Sequence, residues 1–201
     1  MFGGDPAIRS ETAFENTPIV VDGTLYLCTP TNRVIALDPV NGTERWAFDP
    51  GVDLQGRFAN QLVCRGVTAW LDAGAHPEAR CRRTIFMATN DARLIALDAR
   101  TGDPCPAFGS QGEVELADAA GERNWVGEYQ VTSPPVVVGD VVVVGSAIAD
   151  NARIDAPSGV VRGFDARTGG LRWAWDLAPP GFDYDTGLVS ESGYALGTPN
   201  V

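Results

Sequence analysis

The sequence predicts an all-β chain that is built from a repeated unit of short strands. Apolar runs of four to six residues, rich in β-branched side chains, are bounded by hairpin-turn pairs such as Asp22-Gly23 and Asn41-Gly42. No stretch keeps the period of an amphipathic helix over three turns, and 23 glycines and 14 prolines interrupt the chain. The same order of strand, tight turn and tryptophan also recurs along the 201 residues.

Three units share the same landmarks in the same order. An apolar stretch comes first (18–27, 84–89 and 135–144), followed by a segment that ends in aspartate and by a glycine four residues after it. The segments are Arg33-Val-Ile-Ala-Leu-Asp38, Arg93-Leu-Ile-Ala-Leu-Asp98 and Val160-Val-Arg-Gly-Phe-Asp165, and the glycines are Gly42, Gly102 and Gly169. A tryptophan follows in the first and third units, at Trp46 and Trp173. In the second unit Pro106 takes that place, with Phe108 close by as a candidate substitute.

Each unit is predicted to form an antiparallel meander. The aspartate accepts backbone N–H bonds and the glycine supplies a positive φ, so the pair builds a tight turn. The tryptophan then lies on the next strand and packs between neighbouring sheets. A plain sandwich would give similar strands, but the shared turn and tryptophan favour a β-propeller, with blade units around 15–50, 60–110 and 125–180.

The spacing of the units predicts where a binding site lies. The repeated aspartates are 60 residues apart (Asp38 to Asp98) and then 67 apart (Asp98 to Asp165). A propeller blade takes roughly 40–45 residues, so each unit must carry insertions. Two are visible, at 49–62 and 147–158. Long insertions on one face of a repeat array are where binding sites are usually found.

Charge and hydropathy exclude some classes of protein. The net charge of −11 and the pI near 4.4 argue against nucleic-acid binding, which needs clustered Lys and Arg. The start, Met1-Phe-Gly-Gly-Asp-Pro6, has neither the basic nor the apolar region of a signal peptide. No run approaches the roughly 20 apolar residues of a membrane span. The chain is therefore expected to be cytosolic, or a segment whose export signal lies elsewhere.

Four cysteines, Cys28, Cys64, Cys81 and Cys105, do not form the C-x-x-C pattern of a metal or redox site. Cys64 and Cys81 bracket a loop of modest length that carries the lone His76. A disulfide between them and a pair of free buried thiols are both compatible with this spacing.

The repeat A-L-D-x-x-x-G-x-x-x-W resembles the tryptophan-docking repeats of dehydrogenases that depend on pyrroloquinoline quinone (PQQ). The resemblance runs from about Glu15 to Val201, and several other stretches make it specific to the membrane-bound glucose/quinate/shikimate branch. They are Phe14-Glu-Asn-Thr-Pro18, Leu25-Tyr-Leu-Cys-Thr-Pro30, Val63-Cys-Arg-Gly-Val67, 89–98, Thr132-Ser-Pro-Pro135 and Thr198-Pro-Asn200. Methanol-type relatives carry adjacent cysteines beside the cofactor, whereas here no two cysteines adjoin.

The resemblance implies an eight-bladed propeller with PQQ on the axis and a divalent cation, Ca²⁺ or Mg²⁺, beside it. This chain would be about three to four blades of that ring, and hence a fragment or a truncated gene product. The full protein would lie at the periplasmic face of the inner membrane. There it would oxidise a sugar, polyol or cyclic hydroxy acid and pass the electrons to membrane quinone. The alternative is a non-catalytic scaffold, because similar repeats occur in outer-membrane assembly proteins.

The resemblance also implies which residues contact the cofactor. PQQ is a planar tricarboxylate quinone, so its site needs cations, hydroxyls and flat faces. Arg65, Glu15, Thr132 and Ser133 match positions that contact PQQ in the family. Their ordinary alternatives are a surface ion pair for Arg65, a solvated carboxylate for Glu15, and a turn before Pro134.

Asp150 and Asn151 follow a predicted strand, and the resemblance places cation ligands in this segment. Carboxylate and amide oxygens are what Ca²⁺ or Mg²⁺ prefer, although an Asp-Asn pair is also common in turns.

The chain departs from the family pattern in two respects. Gln61 stands where the glucose-dehydrogenase branch has a histidine that stacks on the cofactor, and Gln cannot titrate as an imidazole does. His76 is elsewhere and is expected to be an exposed loop residue. In the family, the Thr198-Pro-Asn200 motif runs into a tryptophan under the cofactor, and the catalytic aspartate lies further on. We therefore expect no catalytic base in this chain and no activity from it alone.

Overall fold

Most strands of the described residues, 11–199, belong to three four-stranded antiparallel sheets in this computed structural model. The first sheet contains β1 (Ile19–Val21), β2 (Thr24–Cys28), β3 (Val34–Leu37) and β4 (Glu44–Phe48). The second contains β5 (Thr68–Leu71), β6 (Arg83–Ala88), β7 (Arg93–Asp98) and β8 (Glu113–Glu115). The third contains β10 (Val136–Val138), β11 (Val141–Val144), β13 (Val161–Asp165) and β14 (Leu171–Trp175).

Within each sheet the strands pair in chain order, with one exception in the third. There β12 (Ala147–Ile148) leaves the sheet and pairs instead with β9 (Tyr129–Gln130). A single 3-10 turn, Asp118–Ala120, is the only helix among residues 11–199, and no helix in this range is long and apolar enough to cross a bilayer. The prediction of an all-β, propeller-type chain is confirmed.

The second sheet is buried on both faces because the other two sheets pack against it. Alternate side chains of a strand point to opposite faces. Ile85 and Met87 of β6 join the core shared with the first sheet. Phe86 and Ala88 join the core shared with the third. Because both faces are buried, the strands of this sheet are apolar at successive positions and do not alternate between polar and apolar residues.

The predicted Asp–Gly turn is present in all three sheets. In the first, the Asp38 carboxylate accepts the N–H groups of Val40 (2.9 Å) and Asn41 (3.3 Å), and the Gly42 N–H donates to the Asp38 carbonyl at 2.9 Å. Gly42 has a φ of +74°, which favours glycine. The equivalent glycines of the other two sheets are Gly102 (φ +77°) and Gly169 (φ +71°).

Trp46 docks the first sheet onto the second. Its indole N–H donates to the Ala99 carbonyl at 3.0 Å, and the Tyr26 hydroxyl donates to the same oxygen at 3.0 Å. A Cβ on Gly102 would lie 2.6 Å from the Trp46 ring, so the indole lies directly on this glycine. The corresponding Trp173 covers Gly163 of its own sheet and remains 42% exposed.

Cys105, not Pro106, takes the strand position of the tryptophan in the second unit. Trp46 lies opposite Ala36, and the equivalent of Ala36 in the second sheet is Ala96. The residue bonded to Ala96 is Cys105, whose N–H donates to the Ala96 carbonyl at 2.8 Å. Cys105 is joined to Cys81. Phe108 is buried nearby, with its ring 5.3 Å from that of Phe86.

Both predictions for the cysteines, a Cys64–Cys81 disulfide and a pair of free thiols, were wrong. The four cysteines form two disulfides, Cys28–Cys64 and Cys81–Cys105, and none is free. Cys64 cannot pair with Cys81 because its segment lies against the first sheet, where Cys28 ends β2. The nearest cysteine along the chain is not the nearest one in space.

Candidate functional site

The candidate site is organised around residues 57–65, which lie between two other stretches of chain. On one side the Thr17 N–H donates to the Arg65 carbonyl at 3.0 Å. On the other side the Arg65 N–H donates to the Thr132 carbonyl at 3.2 Å. Backbone bonds therefore hold three distant parts of the sequence side by side, and this gathers the predicted cofactor residues.

Arg65 and Glu15 form an ion pair on this surface. The Arg65 Nε donates to Glu15 Oε2 at 3.0 Å, and the two side chains are 43% and 49% exposed. An exposed pair contributes only about 0–1 kcal/mol to stability. Its geometric effect is to orient the guanidinium, because Nε is engaged. The two terminal NH₂ groups of Arg65 have no partner within residues 11–199. They can bind a carboxylate or quinone oxygen through two N–H groups.

Thr132 and Ser133 lie next to Arg65, because the Arg65 N–H donates to the Thr132 carbonyl. Thr132 is half-buried and Ser133 is exposed. A Cβ on Gly66 would lie 3.2 Å from the Thr17 carbonyl oxygen and 3.5 Å from the Pro134 Cβ. The glycine therefore lets the chain after Arg65 pass closely between its two neighbours. Glu15, Arg65 and the Thr132-Ser133 segment are therefore held next to one another.

Gln61 lies on the same segment as Arg65 and is exposed. Its Nε2 donates to Glu11 Oε2 at 3.1 Å. The Gln61–Glu11 and Arg65–Glu15 pairs repeat with the same spacing on both segments, which run parallel at this point. Because the Gln61 amide is exposed, it can lie against a flat ring.

Asp150 and Asn151 lie at a separate place, in a cleft of about 320 Å³ that Arg57, Asn60 and Trp125 also line. Ca²⁺ takes 6–8 oxygen ligands. Residues 11–199 contain no group of three or more His, Cys, Asp or Glu side chains that could hold a metal ion. Two oxygen ligands are fewer than Ca²⁺ takes, so within residues 11–199 this pair does not form a complete cation site by itself.

A buried amide ladder connects the first two sheets to strand β9 and was not anticipated from the sequence. Asn90 Nδ2 donates to Asn32 Oδ1 at 2.7 Å, and Gln130 Nε2 donates to Asn90 Oδ1 at 3.1 Å. Gln130 Oε1 in turn accepts the Asn60 N–H at 2.9 Å. Asn32, Asn90 and Gln130 are fully buried. The ladder ends at Asn60, so it fixes the backbone just before Gln61. No local pattern distinguishes these amides from those of ordinary turns.

Two further predictions concern residues outside this cluster. His76 is exposed, as expected, and its Nδ1 accepts the Glu78 N–H at 3.3 Å. Of the Thr198-Pro-Asn200 motif, Thr198 is buried and its Oγ1 accepts the Gly159 N–H at 2.8 Å, whereas Asn200 lies outside the described residues.

Comparison with known proteins gives consistent matches. Residues 4–201 match the family described as "PQQ: Glucose/ethanol/alcohol dehydrogenase, beta-propeller domain". The chain is 38% identical over 195 residues to the glycerol dehydrogenase large subunit of Gluconobacter oxydans, covering 97% of this chain and 26% of the relative. It is 38% identical over 201 residues to the quinoprotein glucose dehydrogenase of Escherichia coli, covering 97% and 24%. It is 39% identical over 184 residues to the quinate/shikimate dehydrogenase (quinone) of Acinetobacter baylyi, covering 84% and 22%.

A solved structure agrees in fold. The quinohemoprotein alcohol dehydrogenase ADHIIG of Pseudomonas putida matches with a TM-score of 0.66 and 28% identity, covering 92% of this chain and 23% of the other. The chain thus spans about a quarter of the length of its relatives. With the sheets, the docking tryptophan and the family match in agreement, this chain belongs to the β-propeller family of PQQ-dependent quinoprotein dehydrogenases.

Proposed function

We propose that this chain forms one side of the PQQ pocket in a dehydrogenase that oxidises a sugar, polyol or cyclic hydroxy acid. It contributes blade units around 15–50, 60–110 and 125–180 to an eight-bladed ring. The observation that carries the proposal is the convergence of Glu15, Arg65 and Thr132 through backbone bonds between segments that are far apart in sequence. The family match supports it over the scaffold alternative.

Each residue has a separate part in holding the cofactor. The NH₂ groups of Arg65 bind one PQQ carboxylate or quinone oxygen, and Glu15 keeps that guanidinium in position. The hydroxyls of Thr132 and Ser133 donate to further carboxylate oxygens. Gln61 lies against the ring, and Asp150 and Asn151 hold a Ca²⁺ or Mg²⁺ ion together with other groups. When bound, PQQ supplies a two-electron acceptor for the alcohol carbon.

The reaction requires groups beyond those that this site offers. Alcohol oxidation needs a base to take the hydroxyl proton, and none of the pocket residues assigned here has that role. We propose that residues 1–201 alone are inactive and that the base lies elsewhere in the full protein. That protein acts at the periplasmic face of the inner membrane and passes its electrons to membrane quinone.

The test is PQQ binding by the whole protein, measured by fluorescence titration with Arg65→Ala and Arg65→Lys. Loss of a charged hydrogen bond costs about 1.5–3 kcal/mol, so we expect Kd to rise by about 10- to 100-fold for Arg65→Ala and less for Arg65→Lys. Arg33→Ala is the matched control, because Arg33 forms a similarly exposed ion pair with Asp49 at 3.7 Å.

Equal Kd values for PQQ in wild type, Arg65→Ala and Arg33→Ala would contradict the assignment of Arg65 to the cofactor site. Dye reduction with D-glucose, glycerol or quinate, in the presence of PQQ and Ca²⁺ or Mg²⁺, tests the activity. If the whole protein binds no PQQ and oxidises none of these substrates, the enzymatic proposal is contradicted. The non-catalytic scaffold is then the remaining proposal.

A further inference from the structure

The contact between the second and third sheets lacks the hydrogen bonds that join the first sheet to the second. In the first contact, the Trp46 indole and the Tyr26 hydroxyl both donate to the Ala99 carbonyl. The equivalent positions one repeat later, in the same order, are Cys105, Phe86 and Ala166. Cys105 is part of a disulfide and phenylalanine has no hydroxyl, so neither side chain can donate.

The Ala166 carbonyl is therefore left without a hydrogen-bond donor. Ala166 is only 2% exposed, and within residues 11–199 no N–H or O–H group donates to this oxygen. The N–H of the same residue is paired, because it donates to the Asp140 carbonyl at 2.9 Å. A buried acceptor without a donor is costly and rare in folded proteins. A ligand that carries one N–H group would satisfy it.

Ala166 lines a cavity of about 230 Å³ between the second and third sheets. Most of its wall is apolar and is formed by Trp70, Ala96, Cys105, Pro106, Ala107 and Phe108. An apolar cavity of roughly 150 Å³ accepts benzene, so this one has room for a ligand with two fused rings. Pro106 and Ala107 are exposed, so the cavity reaches the surface.

The charged residues of the cavity wall already have partners. The Arg167 Nε donates to Asp72 Oδ2 at 2.9 Å, and its NH1 group donates to Asp140 Oδ2 at 3.0 Å. The Arg80 NH2 group donates to the Pro104 carbonyl at 3.0 Å. No buried side-chain atom of the lining residues, all of which are described, lacks a partner. A charged ligand would have to compete with these pairs, whereas a neutral ligand leaves them intact.

The wall around Cys105 is fixed on two sides. The disulfide joins Cys105 to Cys81, which precedes the second strand of its sheet. The loop after Cys105 is bonded to the third sheet, because the Gly109 N–H donates to the Thr168 carbonyl at 2.8 Å. These links hold the cavity in shape before a ligand arrives, which lowers the entropic cost of binding.

We propose that this cavity binds a small, flat and neutral aromatic ligand with one N–H donor, a heterocycle of the indole class. Its N–H donates to the Ala166 carbonyl, as the Trp46 N–H donates to the Ala99 carbonyl one repeat earlier. Its ring packs against Trp70 and Phe108. None of the lining residues belongs to the candidate cofactor site, so the inference is independent of the proposed function.

The test is calorimetric titration of the whole protein with indole and with benzofuran, which has nearly the same shape but no N–H group. One hydrogen bond should make the Kd for indole about 2- to 10-fold lower than that for benzofuran. Phe86→Tyr adds a hydroxyl at the position equivalent to Tyr26, where it can donate to the Ala166 carbonyl. In this variant the Kd for indole should rise by about 2- to 10-fold, and the preference over benzofuran should disappear.

Tyr26→Phe is the matched control. It makes the reverse change in the first contact, where Trp46 still donates to the Ala99 carbonyl, so the Kd for indole should not change. The PQQ Kd should be the same in wild type and in both variants. Urea unfolding checks that both variants are folded.

A wild-type protein that binds no indole, or that binds indole and benzofuran equally, would overturn the proposal. Both results come from the wild type, so they decide the matter even if Phe86→Tyr does not fold. An indole Kd that Phe86→Tyr leaves unchanged, or that Tyr26→Phe raises equally, would also overturn it, because the ligand would then bind elsewhere.

Discussion

Cys28 and Cys64 are 36 residues apart in sequence, and a disulfide brings their Cα atoms to 5.9 Å at the edge of the candidate cofactor site. Cys64 directly precedes Arg65. On the other side, the Asn16 Nδ2 donates to the Cys28 Sγ at 3.1 Å, and Asn16 directly follows Glu15. The disulfide therefore anchors the chain beside both members of the Arg65–Glu15 ion pair.

Removing this disulfide should weaken PQQ binding as well as stability. The chain-entropy estimate for sequence separations of 36 and 24 residues is about 3–4 kcal/mol for either disulfide, so the two pairs are matched in stability. We expect Cys28→Ala/Cys64→Ala to raise the PQQ Kd by about tenfold, whereas Cys81→Ala/Cys105→Ala leaves it unchanged. Urea unfolding and fluorescence titration of the whole protein measure the two effects. Equal Kd changes in both double variants would show that the first disulfide has only a structural role.

Substitution of Gly102 should be more destabilising than the same substitution of Gly42. Both glycines end an Asp–Gly turn with nearly equal φ values, +77° and +74°, so alanine costs about 1–2 kcal/mol of backbone strain at either position. At Gly102 the new Cβ would also lie 2.6 Å from the Trp46 ring, whereas at Gly42 it meets nothing within 4 Å. We expect an additional loss of about 1–3 kcal/mol for Gly102→Ala. Thermal or urea unfolding of both variants measures the difference, and equal losses would contradict the docking role of Trp46.

Replacing Gln130 by leucine should lower the free energy of unfolding by more than the small change in side-chain volume suggests. Gln130→Leu removes the donor to Asn90, which leaves the buried Asn90 amide oxygen without its partner, and it also removes the acceptor of the N–H of the exposed Asn60. A buried polar group without a partner costs about 1–3 kcal/mol, so we expect a loss of about 1–3 kcal/mol in urea unfolding. Gln61→Leu, at an exposed position, should change stability by less than about 0.5 kcal/mol. Similar values for the two variants would mean that the ladder adds nothing to stability.

Asp165 should make the protein sensitive to acid between about pH 4 and pH 2. Burial raises the pKa of its carboxyl, but hydrogen bonds from Arg172 and from the N–H groups of Thr168 and Arg167 outweigh this and lower the pKa to about 2. A pKa below the ordinary value of about 3.9 means that the native state favours the charged carboxylate. The resulting stability, about 2 kcal/mol, is present above pH 4 and is lost as the pH falls through 2.

The corresponding measurement is urea unfolding of wild type and Asp165→Asn from pH 5 to pH 2. Asp165→Asn should be less stable at pH 5 and should show a flatter pH profile. Asp53→Asn, at an exposed carboxylate, is the control. An unchanged slope in Asp165→Asn would show that another group controls the acid response.

Local patterns predicted the strands and turns well because their causes are local. The Asp38 and Gly42 turn depends on a carboxylate that accepts neighbouring N–H groups and on a residue that tolerates positive φ, and both are visible in the sequence. The position of Trp46 between two sheets follows from the repeat. The substitution of Cys105 at the equivalent position was not visible, because the residue opposite Ala96 is set by the register of the strands.

The sequence by itself determined the all-β class, the repeated turn, and the two insertions at 49–62 and 147–158, since turn chemistry and strand periodicity act over a few residues. Only the tertiary structure decided that Cys28 pairs with Cys64 and that Arg65 meets Glu15. It alone brought the two insertions together at Trp125. These contacts join residues that are 36 to about 90 positions apart, and they form only when whole sheets pack against each other.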